Sequence, residues 1–224
     1  MKLQKYRRKK SSAGNFLVVL GPDGVGKTTL ITGLHDQLAL LKNQELESIH
    51  LLHFRPHLLP NINQLLTGKA EVIGEFNDPH SAPAAGQISS LFRIVYYSFD
   101  YIFGYWLKLR QKINSGHTII FDRYFYDFII DPRRSRLSLP EWLPRLFLLI
   151  IPKPDLVFVL DAPAYEIYKR KQELPLDEIE RQLCAYRLLV AESASQFIRI
   201  DSSQSPEIMV KFALIELSQL SKKF

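Results

Sequence analysis

Five short apolar runs set the rhythm of the chain, and each is closed by a turn signal. They are Phe16–Leu20 before Gly21, Ser48–Phe54 before Arg55-Pro56, Thr118–Phe121 before Asp122, Leu156–Leu160 before Asp161, and Phe197–Ile200 before Asp201. The runs are apolar at consecutive rather than alternate positions. That pattern predicts strands covered on both faces, hence a parallel sheet between helices. Helical spacing fills the gaps. Lys27–Leu41 sets Leu30, Leu34, Leu38 and Leu41 on one face, and Gln87–Ile113 reads as one long helix or two joined near Gly104. Ala164–Gln172 and Leu176–Ala194 are parted by Pro175, and Pro206–Leu220 follows Ser205 as N-cap, with proline at the first helical position. The alternation predicts an α/β fold of three layers, a five-stranded parallel sheet flanked by helices with right-handed crossovers. No repeat or linker divides residues 15–224, which read as one domain.

The turn after the first run carries chemistry. Gly21-Pro22-Asp23-Gly24-Val25-Gly26-Lys27-Thr28 fits G-x-x-x-x-G-K-[ST] at every fixed position, with a strand before it and a helix after it. Glycines let successive N–H groups point inward at phosphate oxygens, and the helix start adds its positive end. In such a loop Lys27 reaches the β- and γ-phosphates, and the Thr28 hydroxyl is placed to ligate Mg²⁺. Gly21, Asp23, Gly24, Val25, Gly26, Lys27, Thr28 and Thr29 are therefore the expected nucleotide contacts.

Later segments narrow the class. Asp23 within the loop, Asp122-Arg123-Tyr124 after the third run, Leu160-Asp161-Ala162-Pro163 with Tyr168-Lys169-Arg170-Lys171, and Ile200–Glu207 resemble thymidylate kinases in kind and order. The resemblance runs from about Phe16 to the C-terminus. It implies a P-loop NTPase fold, ATP and Mg²⁺, and phosphoryl transfer to a nucleoside monophosphate, with dTMP the first candidate. It also implies roles. Asp23 would sit at the acceptor sugar, Arg55 at the acceptor phosphate, Arg123 between donor and acceptor phosphates, and Asp122 beside Mg²⁺. Arg93 and Tyr97 would line the acceptor side, while Asp201 and Ser202 would border the adenine. Gly24 stands where some members of the family place an arginine, so Arg170, in the lid, would supply the positive charge at the transferred group. Lys27, Asp122, Arg123 and Arg170 make up the catalytic set.

The acceptor side departs from the family. The segment Phe125–Arg136 lacks the expected serine and Ala-Tyr-Gln, and His53-Phe54-Arg55-Pro56 replaces Arg-Glu-Pro-Gly. Asp100 and Arg93 fall out of register with the family's Asp-Arg pair. Two alternatives stay open: a kinase for a sugar or polysaccharide precursor, and a non-catalytic nucleotide-binding regulatory module. Arg133, Arg134 and Arg136 read either as an anion site or as a solvated loop cluster. Asp161 reads as a helix cap or a ligand-facing acid, and Arg181 and Arg187 as solvated helix residues. Tyr96, Tyr97, Tyr101 and Tyr105 read mostly as core, with one ring free to stack on an acceptor base. His50, His53 and His57 come without an acid cluster and suggest no metal site.

Composition sharpens this picture little. At 46% apolar and 12% aromatic residues, the chain is neither disordered nor disulfide-built, and its one cysteine, Cys184, reads as a packing residue in a helix. The net charge of +6 is a property of the first ten residues. They hold six of the 29 Lys and Arg and no acid, leaving 23 basic against 23 acidic residues in the rest. Residues 1–14 therefore read as a solvated, disordered tail, and the body carries no nucleic-acid-binding charge. Leu146–Ile151, the most apolar run, is far too short to span a bilayer, and no apolar signal core follows the basic start. The expectation is a cytoplasmic protein with a small-molecule phosphate acceptor as partner. The resemblance adds a homodimer through the aromatic-rich helices.

Overall fold

The computed structural model describes residues 14–42, 48–60, 86–192 and 196–222. The basic tail to residue 13 lies outside them. The sheet has five parallel strands, β1 (Phe16–Leu20), β2 (Ile49–His53), β3 (Thr118–Asp122), β4 (Leu156–Asp161) and β5 (Phe197–Asp201), in the order β2-β3-β1-β4-β5. The chain leaves β1 toward one edge, through β2 and β3, then crosses to the other through β4 and β5. The reversal falls at β1, where an open α/β sheet leaves a crevice beyond the carboxyl ends of its strands. Three strands run one residue past their apolar runs, because Asp122 still pairs with His53, and Asp161 with Asp201.

Two cores, one on each face, bury β1, β3 and β4. The edge strands β2 and β5, expected to be covered on both faces, keep Leu51, His53 and Arg199 exposed because no neighbour closes their outer side. Leu17 and Val19 of β1, Ile120 of β3, and Leu156, Phe158 and Leu160 of β4 point to one face. There they meet Leu30, Leu34 and Leu38 of α1 (Lys27–Lys42), Ile167 of α6 (Ala164–Arg170), Ile179 and Leu183 of α7 (Leu176–Glu192), and Met209, Val210 and Ala213 of α8 (Pro206–Lys222). Phe16, Val18, Leu20, Ile119, Phe121, Val157 and Val159 point to the other, against Ile94 and Tyr101 of α2 (Gln87–Gly104), Ile113 of α3 (Arg110–Asn114), Phe128 and Tyr186. A helical layer on each side is the three-layer arrangement that the runs predict. Gly14, expected to be the last residue of the tail, is buried, and its N–H donates to the Ile113 carbonyl at 2.7 Å.

The long aromatic stretch does break at Gly104, though not into separate helices. α2 passes into a π-helical turn, Tyr105–Leu109, and then into α3. A wider turn of this kind shifts the helical face without stopping the helix. Three short pieces have no apolar period to announce them: α4 (Asp127–Ile130), a 3₁₀ turn at Pro132–Ser135, and α5 (Trp142–Phe147). Cys184, expected to pack, is exposed on α7. Among the described residues no helix is long and apolar enough to cross a membrane.

Gly104 ties the fold to the site. A Cβ there would lie 2.4 Å from the Pro56 ring, directly after Arg55. Its backbone is ordinary α-helix, so alanine would gain about 1 kcal/mol of helix propensity. Overpacking at such a distance costs about 1–3 kcal/mol, so the clash outweighs the gain. Gly104→Ala is therefore expected to lower the urea midpoint, and an unchanged or raised midpoint would show that the Pro56 turn yields freely.

Candidate functional site

β1 is buried along its whole length and ends abruptly in the glycine loop. Gly21, Gly24 and Gly26 have φ of 146°, 83° and 106°, conformations that L side chains rarely adopt. The loop turns straight into α1, whose first bond runs from the Leu30 N–H to the Gly26 carbonyl at 3.1 Å. Lys27 is buried at 7% exposure and folds back on the loop, donating to the carbonyls of Gly21 (3.1 Å) and Pro22 (2.9 Å). Burial, with Arg123 close by, pulls its ammonium down to about 8, although Asp23, Asp122 and Asp127 favour the charge. Val25 is buried beneath the loop, and Thr28 and Thr29 are exposed on the first turn of α1. Thr29 lines a groove of about 590 Å³ that runs between α1 and α8 from Pro206 to Ser218.

The other half of the site follows β3. Arg123 has a left-handed backbone (φ 69°) and is 1% exposed, and its N–H is held by the Val19 carbonyl at 2.9 Å. Residues kept in such strain gather where a site needs them. Its guanidinium bridges two acids, with Nη1 on Asp127 Oδ2 at 2.5 Å and Nη2 on Asp23 Oδ1 at 2.6 Å. Asp127 also accepts the Tyr186 hydroxyl at 3.0 Å. Burial disfavours the Arg123 charge, but Asp127 and Asp23 outweigh it and hold the group protonated well above its ordinary range. Arg134 reaches the other oxygen of Asp23 from the 3₁₀ turn, so it is not a solvated loop residue. Lys27 Nζ lies 3.4 Å from Asp23 Oδ1. Burial alone would raise the Asp23 carboxyl, yet Arg123, Lys27 and Arg134 hold it far below the usual carboxylate range. With these three cations around it, Asp23 is held as the anion.

Asp122 closes β3 beside His53, whose Nδ1 is 3.5 Å from Oδ2. Burial pushes its carboxyl up, and His53, Lys27 and Arg123 overcome that to lower it. Its Oδ1 is sealed from solvent and accepts no hydrogen bond among the described residues. An orphaned, buried carboxylate oxygen suits a hard cation with oxygen ligands. Among the described residues no group of three or more His, Cys, Asp or Glu could hold a metal. A cation at Asp122 and Thr28 would therefore need oxygens from its ligand and from water.

The remaining expected residues are distributed unevenly. Arg55 is 3% exposed, its Nη1 bonds Asp100 Oδ2 at 3.0 Å, and its guanidinium lies 4.7 Å over the Tyr97 ring. Asp100 also takes the N–H groups of Leu58 (2.7 Å) and Leu59 (2.8 Å), fixing a turn in which Phe54 and His57 have positive φ. Tyr97 in turn stacks on Phe128 at 5.6 Å, and Arg93 is half-buried one turn earlier on α2. Tyr101 is core, as expected. Arg170, at the end of α6, donates through Nη2 to the Ser202 carbonyl (3.2 Å) and to Glu166 (3.4 Å). Ser202 is itself tied by its N–H to the Asp161 carbonyl at 2.8 Å, and Asp201 holds the Ser203 N–H at 2.9 Å, so this turn is well formed. Asp161 neither caps α6 nor stands alone; its carboxylate takes Arg187 at 2.7 and 2.9 Å. Arg187 and Arg181, each at 49% exposure, do lie on the solvated face of α7 as expected, and Arg181 also bonds Glu178 and the Ile130 carbonyl.

Three groups in this site, Asp127, Asp131 and Tyr186, had no expected role. The acids could have been found as i,i+4 and i,i+3 partners of Arg123 and Arg134 within one segment. Tyr186 could not, since only folding brings α7 beneath α4. The chain matches no protein-family model and no curated protein. The motif residues themselves therefore carry any reading of function.

Two outcomes follow from this geometry. Removing one partner of a buried ion pair leaves an uncompensated charge and costs about 3–5 kcal/mol. Arg123→Ala should lose that much in urea unfolding, and a loss under about 1 kcal/mol would mean that Asp127 finds another donor. For Lys27, the folded value of about 8 lies below the ordinary 10.5, so the unfolded chain binds more protons between them. Stability from this group must rise with pH across that window. Between pH 7.5 and 9.5 the wild type should gain about 2 kcal/mol relative to Lys27→Met, and parallel curves would refute the depressed value.

Proposed function

We propose that this protein is a phosphotransferase that binds ATP with Mg²⁺ at the Gly21–Thr28 loop and passes the terminal phosphate to a small molecule. The observation that carries the reading is the meeting of Lys27, Arg123 and Arg134 around one carboxylate at the carboxyl ends of β1 and β3, with the orphaned Asp122 oxygen on the same strand end. Phosphoryl transfer asks a protein chiefly to position its reactants and to surround the transferred group with positive charge. Arginine forks match phosphate oxygens, and these are held rigid by buried acids. Asp122 and Thr28 would hold Mg²⁺, which when bound offsets charge on the phosphate oxygens. Asp201 and Ser202 supply a fixed turn for the base of the nucleotide.

The thymidylate kinase resemblance belongs to this reading, with dTMP the first acceptor to try. A non-nucleotide acceptor, such as a sugar, is favoured by one observation: Arg55 is buried against Asp100, so an acceptor phosphate would have to compete with that pair. α2 and the π turn leave Ile88, Phe92, Phe99, Phe103 and Trp106 exposed, which supports a homodimer through these helices. A cytoplasmic location goes with the same proposal.

Release of ADP from ATP and Mg²⁺ tests the reading, measured against nucleoside monophosphates, sugars and sugar phosphates. Turnover stimulated at least tenfold by one class is expected, and Lys27→Ala should abolish it. ATP binding without stimulation by any of them would instead favour a regulatory nucleotide-binding module.

A further inference from the structure

We propose that Arg134 grips the terminal phosphate of a bound triphosphate, and that Asp23 stands in for that phosphate in the ligand-free protein. The proposal rests on the donor-site reading above and deepens it. It assigns the second arginine of the site, which the motif pattern alone placed at Arg170.

Two arginines here are built alike. Arg123 turns one side of its fork to a buried acid, Asp127, and the other to Asp23 Oδ1. Arg134 turns Nε to a buried acid, Asp131, at 3.2 Å and Nη2 to Asp23 Oδ2. Asp131 is 1% exposed and also receives the Arg134 N–H at 3.4 Å, so one carboxylate holds both the backbone and the side chain of Arg134. Each guanidinium is thus backed by a fixed anion and presents its remaining fork at one point. Such preorganised donors need no rearrangement when charge arrives. Lys27 completes the cluster at that point. A single loop carboxylate gripped by three cations marks the place of a more highly charged, many-oxygened group.

Position 24 cannot supply this arginine. Gly24 has φ +83°, and a Cβ there would lie 2.9 Å from the Lys171 Cβ. Neither backbone nor space suits a side chain. Arg170 is 39% exposed and engaged with Ser202 and Glu166, on the side of the turn assigned to the base. Arg134 is 18% exposed and already directed at the loop. Lysine in such a loop reaches the β- and γ-phosphates while backbone N–H groups take the inner ones. A contact shared with Lys27 and Arg123 therefore falls at the outer end of the triphosphate, and Arg134 should tell ATP from ADP.

Equilibrium binding of Mg·ADP and of Mg with a non-hydrolysable imido-bridged ATP analogue to the full chain tests this. Loss of one charge-assisted fork should weaken the analogue about tenfold or more in Arg134→Gln, with ADP affinity within about twofold of wild type. Arg133→Gln, which alters an exposed neighbour, should change neither. Should the glutamine variant unfold, Arg134→Lys keeps a cation opposite Asp131 and is expected to show the same selective loss, only smaller. If Arg134 variants bind both nucleotides as wild type does, or lose both equally, Arg134 is only a tether for Asp23 and the inference fails while the donor site stands. If the wild type binds neither nucleotide, the donor-site reading and this inference fall together.

Discussion

The buried guanidinium of Arg123 is the constraint on which the rest of the site depends. It sits at the end of β3 in a left-handed conformation that costs about 1–3 kcal/mol and persists only if its surroundings over-determine it. Here they do. The Val19 carbonyl fixes its N–H, Asp127 and Tyr186 fix its inner side, and Asp23 meets its outer side. Arg123 and its partner Asp127 thereby join the central strand, the glycine loop, the short helix α4 and the long helix α7. A charge this deep is tolerated because its acid partners are equally fixed. Moving any one of these elements would expose an unpaired charge.

That arrangement accounts for the segment Phe125–Arg136, which follows β3. It contributes Phe125 and Phe128 to the core, Asp127 to Arg123, and Asp131 to Arg134. Acids and arginines at helical spacing turn a loop into two supported cations. The same segment reaches Arg55 through Phe128, which stacks on Tyr97, whose ring in turn lies under the Arg55 guanidinium. The surroundings of Arg123 and of Arg55 are thus mechanically continuous, although their chemistry differs. The first gathers cations around Asp23, while the second closes its arginine against Asp100.

Local rules made much of this protein legible. The apolar runs marked all five strands to within one residue, although double cover holds only for β1, β3 and β4 and the edge strands β2 and β5 keep an exposed side. Glycines at 21, 24 and 26 were readable as backbone needs, and Lys27 and Arg123 as charges facing one sheet edge. The glycine loop and its helix follow from neighbours in the chain. The short helices after β3 were not legible, since four to six residues carry no measurable period. Cys184 was misread for a related reason: a helix has an exposed side, and composition does not say which residues lie on it.

The sequence by itself determined the strand pattern, the loop and the chemical types at the sheet edge, all of which depend on residues close together in the chain. Tertiary structure decided which charges are paired. Arg134 and Asp23 are separated by 111 positions, and Arg55 and Asp100 by 45. Nothing in local spacing distinguishes a solvated arginine from one aimed at a loop. Only the sheet order, which brings the end of β3 beside the end of β1, and the burial that makes an unpaired charge untenable select those partners.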